Sequence, residues 1–75
     1  MPTLLRVDGF KFFFYANEHV PKHIHVIKNE SFAKISLEDF SVYYSSLKNK
    51  DLFFALEIIK THKDEFERRW NEFFC

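Results

Sequence analysis

Residues 23–37 have the sequence HIHVIKNESFAKISL, and this stretch decides the fold. Along residues 23–28 apolar side chains alternate with histidines, which is typical of a strand with two different faces. Residues 29–31, Asn-Glu-Ser, favour a turn. Residues 32–37 are β-prone again, so the whole stretch predicts an antiparallel hairpin. We assign three apolar residues of its second strand to the core: Phe32, Ile35 and Leu37.

The preceding residues predict a second hairpin. Residues 3–7 are short and β-prone, and residues 10–15 form a nearly continuous aromatic run. Asp8-Gly9 between them is a strong signal for a two-residue hairpin turn. Side chains of the aromatic strand should alternate between two faces. One face then carries Phe10, Phe12 and Phe14, and the other carries Lys11, Phe13 and Tyr15.

The second half of the chain predicts a helix. From residue 49 onward the apolar residues recur at spacings of three, four and seven, which place them on one helical face. Asn49 is the expected N-cap, and Thr61 with Asp64 offers a point where a helix can restart after a kink. Residues 38–47 do not decide between a strand and a loop. The predicted helical face consists of Leu52, Leu56, Ile59, Phe66, Trp70 and Phe73.

The apolar pattern changes near residue 48 from the two-residue alternation of strands to the spacing of a helix, and this change predicts an α+β fold. We expect one domain over residues 1–75, with a three- to four-stranded antiparallel sheet over about 3–37 and one long helix over about 49–74 packed across it. A chain of 75 residues is too short for a dinucleotide-binding fold or a barrel.

Charge and cysteine content narrow the function classes. Eleven basic residues balance eleven acidic ones, so the chain as a whole has no general electrostatic attraction for nucleic acid. The one cysteine, Cys75, excludes an internal disulfide and favours a reducing compartment. The N-terminus lacks a signal-peptide pattern, and no apolar run is long enough to span a membrane. We therefore expect a cytoplasmic protein.

Three of the four histidines lie within seven residues and mark the candidate site. His23 and His25 share one face of a strand, and His19 precedes them on a loop stiffened by Pro21. Imidazoles exchange protons near neutral pH, so the set can serve acid–base catalysis. RNA cleavage of this kind requires no metal, only a nearby cation. We name these candidate site residues: Glu18, His19, Lys22, His23 and His25.

Two other roles remain open for the same residues. The histidines can bind a divalent transition metal, with Glu18 as a ligand or as a partner of one. They can also be polar residues of a protein-binding surface. Lys22, Lys28 and Lys34 are the candidate cations for a catalytic role. His62, which stands alone on the helix, is expected at the edge of the core, outside the site.

The central motif resembles a known family. Residues 12–26 (FFFYANEHVPKHIHV) and 66–74 (FERRWNEFF) are similar to those of the small bacterial proteins called domain of unknown function 4160. This chain departs from the family pattern at Lys22, where a second proline is usual, and at Glu30-Ser31, where a Gly-rich turn is common. The resemblance implies a cytoplasmic bacterial or phage protein, often encoded beside a second small gene in a toxin–antitoxin-like arrangement.

The leading hypothesis is therefore the toxin of such a pair, acting as a metal-independent ribonuclease through its histidines. The alternatives are a non-enzymatic protein-interaction module and a small His-rich protein that binds a divalent metal. No cofactor is expected on the leading hypothesis. The expected partners are a small protein encoded nearby and RNA; a homodimer is compatible with the sequence.

Overall fold

A computed structural model describes residues 3–15 and 21–74. The elements that it contains are β1 (Thr3–Val7), β2 (Phe10–Phe13), β3 (His23–Lys28), β4 (Ser31–Ser36), β5 (Val42–Ser45), α1 (Asn49–Thr61) and α2 (Lys63–Phe74). The strands form one antiparallel sheet in the order β1-β2-β3-β4-β5. The α+β class is confirmed, but the sheet has five strands and the helical half has two helices.

The first four strands form two antiparallel hairpins, β1–β2 and β3–β4. Asp8 and Gly9 have φ angles of 50° and 83°, which are the left-handed conformations that a tight two-residue hairpin turn requires. The β3–β4 hairpin pairs His23 with Ser36 at one end and Lys28 with Ser31 at the other. Both predicted hairpins are thus present.

Strand β5 lies in the region that the sequence left undecided. Its four residues are all exposed, so no apolar side marks it in the sequence. Its register against β4 shifts between Lys34 and Ile35, and Tyr43 is the extra residue of this bulge. Hydrogen bonds around Ser46 extend the pairing: Phe32 N–H donates to Ser46 Oγ, and Ser46 N–H donates to the Phe32 carbonyl.

The expected single long helix is wrong, because the chain breaks at His62. This residue has φ −103° and ψ 18°, and its N–H donates to the carbonyls of Ile58 and Lys60, which closes α1. In the second helix Phe66 and Trp70 belong to the core, where they are fully and almost fully buried. Within the described residues, no helix is long and apolar enough to cross a membrane.

Two smaller expectations also need correction. The N-cap of α1 is Lys48, which makes no capping hydrogen bond through its side chain, and Asn49 is already helical. Phe32 does not join Ile35 and Leu37 in the core, since it is 49 % exposed. In an alternating strand, residues three apart point to opposite faces, so Phe32 and Ile35 cannot both be buried on the same side.

One face of the sheet packs against both helices, and we call it the inner face. Its buried residues and those of the helices form one cluster: Phe10, Phe12, Phe14, Ile24, Val26, Ala33, Ile35, Leu37, Leu47, Ala55, Ile59, Phe66 and Trp70. Phe10, Phe12 and Phe14 share one side of their strand, as predicted, and the structure shows that this side faces inward. Phe13, although buried, does not belong to this cluster and lies on the other side of its strand.

Candidate functional site

The opposite side of the sheet, which we call the outer face, carries the histidines. Strand alternation and the pairing register assign its residues, and Tyr15 joins them through contacts with Phe13 and His25. The residues of the outer face are Arg6, Lys11, Phe13, Tyr15, His23, His25, Ile27, Phe32, Lys34, Tyr43 and Tyr44.

His23 and His25 are neighbours on this face. Their ring centroids are 5.2 Å apart, and the rings meet edge to face at 84°. The two side chains are 3 % and 7 % exposed. A two-residue spacing on one strand produces this proximity, as the sequence predicted; the catalytic role of the pair stays a prediction.

The orientation of the His23 ring has a defined cause. Its Nδ1 lies 2.8 Å from the carbonyl oxygen of Pro21. Because a carbonyl can only accept a hydrogen bond, Nδ1 carries the proton, and in the neutral ring Nε2 is the nitrogen that bears the lone pair. Trp70 of α2 and Tyr43 of β5 contact the same ring edge on, at centroid distances of 5.1 Å and 6.5 Å. The core helix and the edge strand therefore both position this imidazole.

His25 lies among the aromatic side chains of the outer face. Phe13 stacks on it at 5.5 Å and 24°, and Tyr15 meets it edge to face at 4.5 Å. The ring lines an open depression of about 260 Å³. The walls of this depression also include Phe32 and Tyr44, so the histidine lies between two groups of aromatic side chains.

Of the three candidate lysines, Lys34 is the one on the outer face. It is the direct cross-strand neighbour of His25, and its ammonium lies 5.2 Å from the centroid of the Tyr43 ring. Lys28 points to the inner side, where its Nζ is 3.1 Å from Asp51 and contacts the Phe10 ring. The structure thus places one of the three candidate cations beside the histidines.

Lys22, the lysine named in the candidate site, turns toward α2. Its Nζ is 4.0 Å from a carboxylate oxygen of Glu67. The other oxygen of Glu67 accepts a 2.7 Å hydrogen bond from Lys63, which raises the pKa of Lys63. Lys22 is therefore engaged with a helical ion-pair group, and Lys34 is the better candidate for a cation at the site.

Two predicted members of the site, His19 and Glu18, lie outside the described residues. Within the described part of the chain, no group of three or more His, Cys, Asp or Glu side chains is arranged to hold a metal ion. His62 lies at the helix junction, stacked on Phe66 at 5.6 Å, with its Nδ1 3.3 Å from Glu65. It takes no part in the site, as expected.

The numbers of basic and acidic residues in the whole sequence do not show how charge is distributed over the sheet. The five strands contain four basic residues and no acidic residue. Lys28 pairs with Asp51 on the inner side, which leaves Arg6, Lys11 and Lys34 on the outer face. The acidic residues of the described chain lie in the turns and helices. A formally neutral protein thus has one basic sheet face.

Sequence reasoning missed the exposed aromatic residues of the outer face. The core predicted from the sequence includes Phe32, and the sequence does not decide between strand and loop for the region of Tyr43 and Tyr44. A usable signal was present, because β-strand alternation from His25 places Phe32 and Lys34 on the histidine side of the hairpin. With β5 paired to β4, Tyr44 then falls opposite Lys34.

Comparison with known proteins identifies the family of this chain but gives no information about its activity. Searches of curated proteins and of solved structures found no match. The model of the family described as domain of unknown function (DUF4160) matches residues 9–71, which include the aromatic strand, both histidines of the pair and Trp70. The chain therefore belongs to the DUF4160 family.

Proposed function

We propose that this chain is the toxin of a toxin–antitoxin-like pair in the bacterial cytoplasm, and that it cleaves RNA without a metal ion. His23 and His25 are its acid–base pair. The observation that carries the proposal is the contact of these two buried imidazoles at the basic outer face of the sheet, with the His23 tautomer set by the Pro21 carbonyl.

The His23 tautomer supports the following roles for the two rings. His23 Nε2 accepts the proton of a ribose 2′-hydroxyl while that oxygen bonds to the adjacent phosphorus. The bond from phosphorus to the 5′-oxygen breaks, and His25 as an imidazolium gives this oxygen a proton. The products are a 2′,3′-cyclic phosphate and a free 5′-hydroxyl. Atoms and charges balance without a co-reactant.

Lys34 supplies the cation that this mechanism requires. A phosphorane gains negative charge as the attacking oxygen binds, and a fixed cation nearby stabilises this charge. Lys34 is the direct neighbour of His25 across the β3–β4 register, and its contact with the Tyr43 ring restrains the side chain. The depression of about 260 Å³ is lined by His25 and gives a phosphodiester access to this member of the pair.

The decisive experiment uses the purified protein, freed of any partner, and a fluorophore-labelled single-stranded RNA in the presence of a chelator. We expect cleavage with cyclic-phosphate ends and a bell-shaped dependence of rate on pH. His23→Gln keeps a donor for the Pro21 carbonyl but cannot act as a base. We expect it, and His25→Gln, to lower the rate by roughly 10²- to 10⁴-fold, the usual effect of one acid or base.

His62→Gln is the matched control, because it makes the same chemical change at a histidine of the helix junction; it should cleave at the wild-type rate. A folded wild-type protein that leaves RNA intact would contradict the proposal. Activity that the chelator abolishes and zinc restores would replace the acid–base mechanism with a metal-dependent one.

The partner is tested in cells. Expression of the wild type should arrest growth, His23→Gln should not, and the product of the neighbouring small gene should relieve the arrest. Growth arrest that persists in His23→Gln and His25→Gln would instead indicate that the chain acts as a protein-interaction module.

A further inference from the structure

We infer that the outer face is a stacking platform for single-stranded RNA, with Phe32 and Tyr44 as one base-binding station and Tyr15 as another. The inference rests on the proposed function in its choice of RNA as the polymer, but it does not require cleavage. Its basis is the placement of exposed rings and cations around the depression beside His25.

The exposed rings stand on both sides of this depression. Phe32 and Tyr44 pair across β4 and β5 at a centroid distance of 5.5 Å, and each is nearly half exposed. Tyr15, also half exposed, stands at the other side against His25. Single exposed aromatic residues are ordinary, but a group of them on one sheet face marks a binding surface.

The cations on the same face favour a polyanion as the ligand. Arg6, Lys11 and Lys34 lie there, and none of the five strands in the described residues contains an acidic residue. Lys11 and Lys34 each lie 5.2 Å from an aromatic ring centroid, those of Phe13 and Tyr43. A single-stranded nucleic acid complements both the rings and the cations, because its bases have flat apolar faces and its phosphates are negative.

The geometry favours a single strand over a duplex. In a duplex the flat faces of the bases are covered by their neighbours, so exposed rings gain little from it, whereas unpaired bases stack on them. From β2, beside Tyr15, to β5 with Tyr44, the platform crosses three strand spacings, or about 14 Å. This width accommodates about two or three bases, as on other RNA-binding sheets.

The test measures binding without cleavage. The probe is a fluorescein-labelled oligouridine whose 2′-hydroxyls are all methylated, so it lacks the nucleophile for strand scission, and fluorescence anisotropy reports its affinity. We expect Phe32→Ala and Tyr44→Ala each to weaken binding by about 5- to 150-fold, the range that corresponds to loss of one base–aromatic stack.

Two controls separate stacking and charge from general damage. Phe53→Ala removes an equally large ring that is 66 % exposed on α1, away from the sheet face, and should leave affinity unchanged. Lys34→Gln should reduce the slope of log affinity against log salt by about 0.7, the value for one phosphate contact on a single strand. Lys60→Gln, on α1, should not change this slope.

The outcomes distinguish RNA binding by the platform from RNA cleavage and from protein binding. Equal affinity of wild type, Phe32→Ala and Tyr44→Ala overturns the platform, as does tighter binding of duplex RNA. Absence of oligouridine binding, with binding of the neighbouring gene's product that Phe32→Ala abolishes, would make the face a protein interface instead. If the oligouridine binds as expected but unmodified RNA is not cut, the platform stands and the ribonuclease proposal fails.

Discussion

The two faces of the sheet are built from the same strands but differ in what covers them. On the inner face, Phe12, Ile24 and Ile35 are completely buried beneath the helices. On the outer face, Phe32 and Tyr44 stay about half exposed among lysines and histidines. A one-sided antiparallel sheet ordinarily has a polar open face. The difference indicates that the inner face stabilises the fold, and it is the basis of our proposal that the outer face binds RNA.

The largest expected effect on stability comes from truncating a buried aromatic residue on the inner side of the sheet. Trp70 is 2 % exposed and contacts Phe14, His23 and Phe74 at centroid distances between 4.3 Å and 5.1 Å. Trp70→Ala should lower the free energy of unfolding by about 3–5 kcal/mol, a large part of the stability of so small a domain. Urea unfolding measures this loss. Phe53→Ala, an exposed aromatic truncation on α1, is the control, and a Trp70→Ala protein that unfolds like the wild type would refute the packing described above.

The inner face could be predicted from sequence because one signal governs it. Alternation in β1 to β4 and helical spacing from residue 52 onward both report burial, and they identified Phe12, Ile24, Phe66 and Trp70 correctly. The break at His62 could not be located by spacing. Ile59 and Phe66 are seven residues apart, which suits one continuous helix as well as two helices joined by a turn.

The outer face was harder to predict because its residues do not follow the burial pattern. His23 and His25 could be placed together from their two-residue spacing alone. Tyr43 and Tyr44 are adjacent aromatic residues in a bulged edge strand, so no alternation marks them. Phe32 is apolar and aromatic like many of the core residues. The register of β4 against β3 shows that its side chain lies on the outer face.

A smaller effect concerns the loop that leads into β5 and so supports the outer face. The Asp39 carboxylate accepts hydrogen bonds from Ser41 N–H and Ser41 Oγ, at 3.0 Å and 2.7 Å. These bonds, with the backbone N–H first, lower the pKa of Asp39 below its usual 3.8. A pKa that is lower in the folded state means that this contribution to stability is present above about pH 4 and is lost as pH falls through the folded value.

Thermal melts of Asp39→Ala test this contribution. The variant should melt below the wild type near pH 6, and the difference should shrink as the pH falls below about 4. Glu38→Ala removes a carboxylate from the same loop without removing these hydrogen bonds, and it should show no such convergence. A difference between Asp39→Ala and the wild type that is constant from pH 6 to pH 2 would contradict the assignment.

We propose that the two sides of β4 have separate roles, one in folding and one in RNA binding. A paired measurement on Phe32→Ala and Ile35→Val distinguishes these roles. Both residues lie on this strand, with exposures of 49 % and 0 %. We predict that Ile35→Val lowers the free energy of unfolding by about 0.5–1.5 kcal/mol and leaves affinity for methylated oligouridine unchanged. Phe32→Ala should change stability by no more than about 0.5 kcal/mol and weaken that affinity at least about 5-fold. The reverse pattern, or equal effects of both variants on both quantities, would contradict the account.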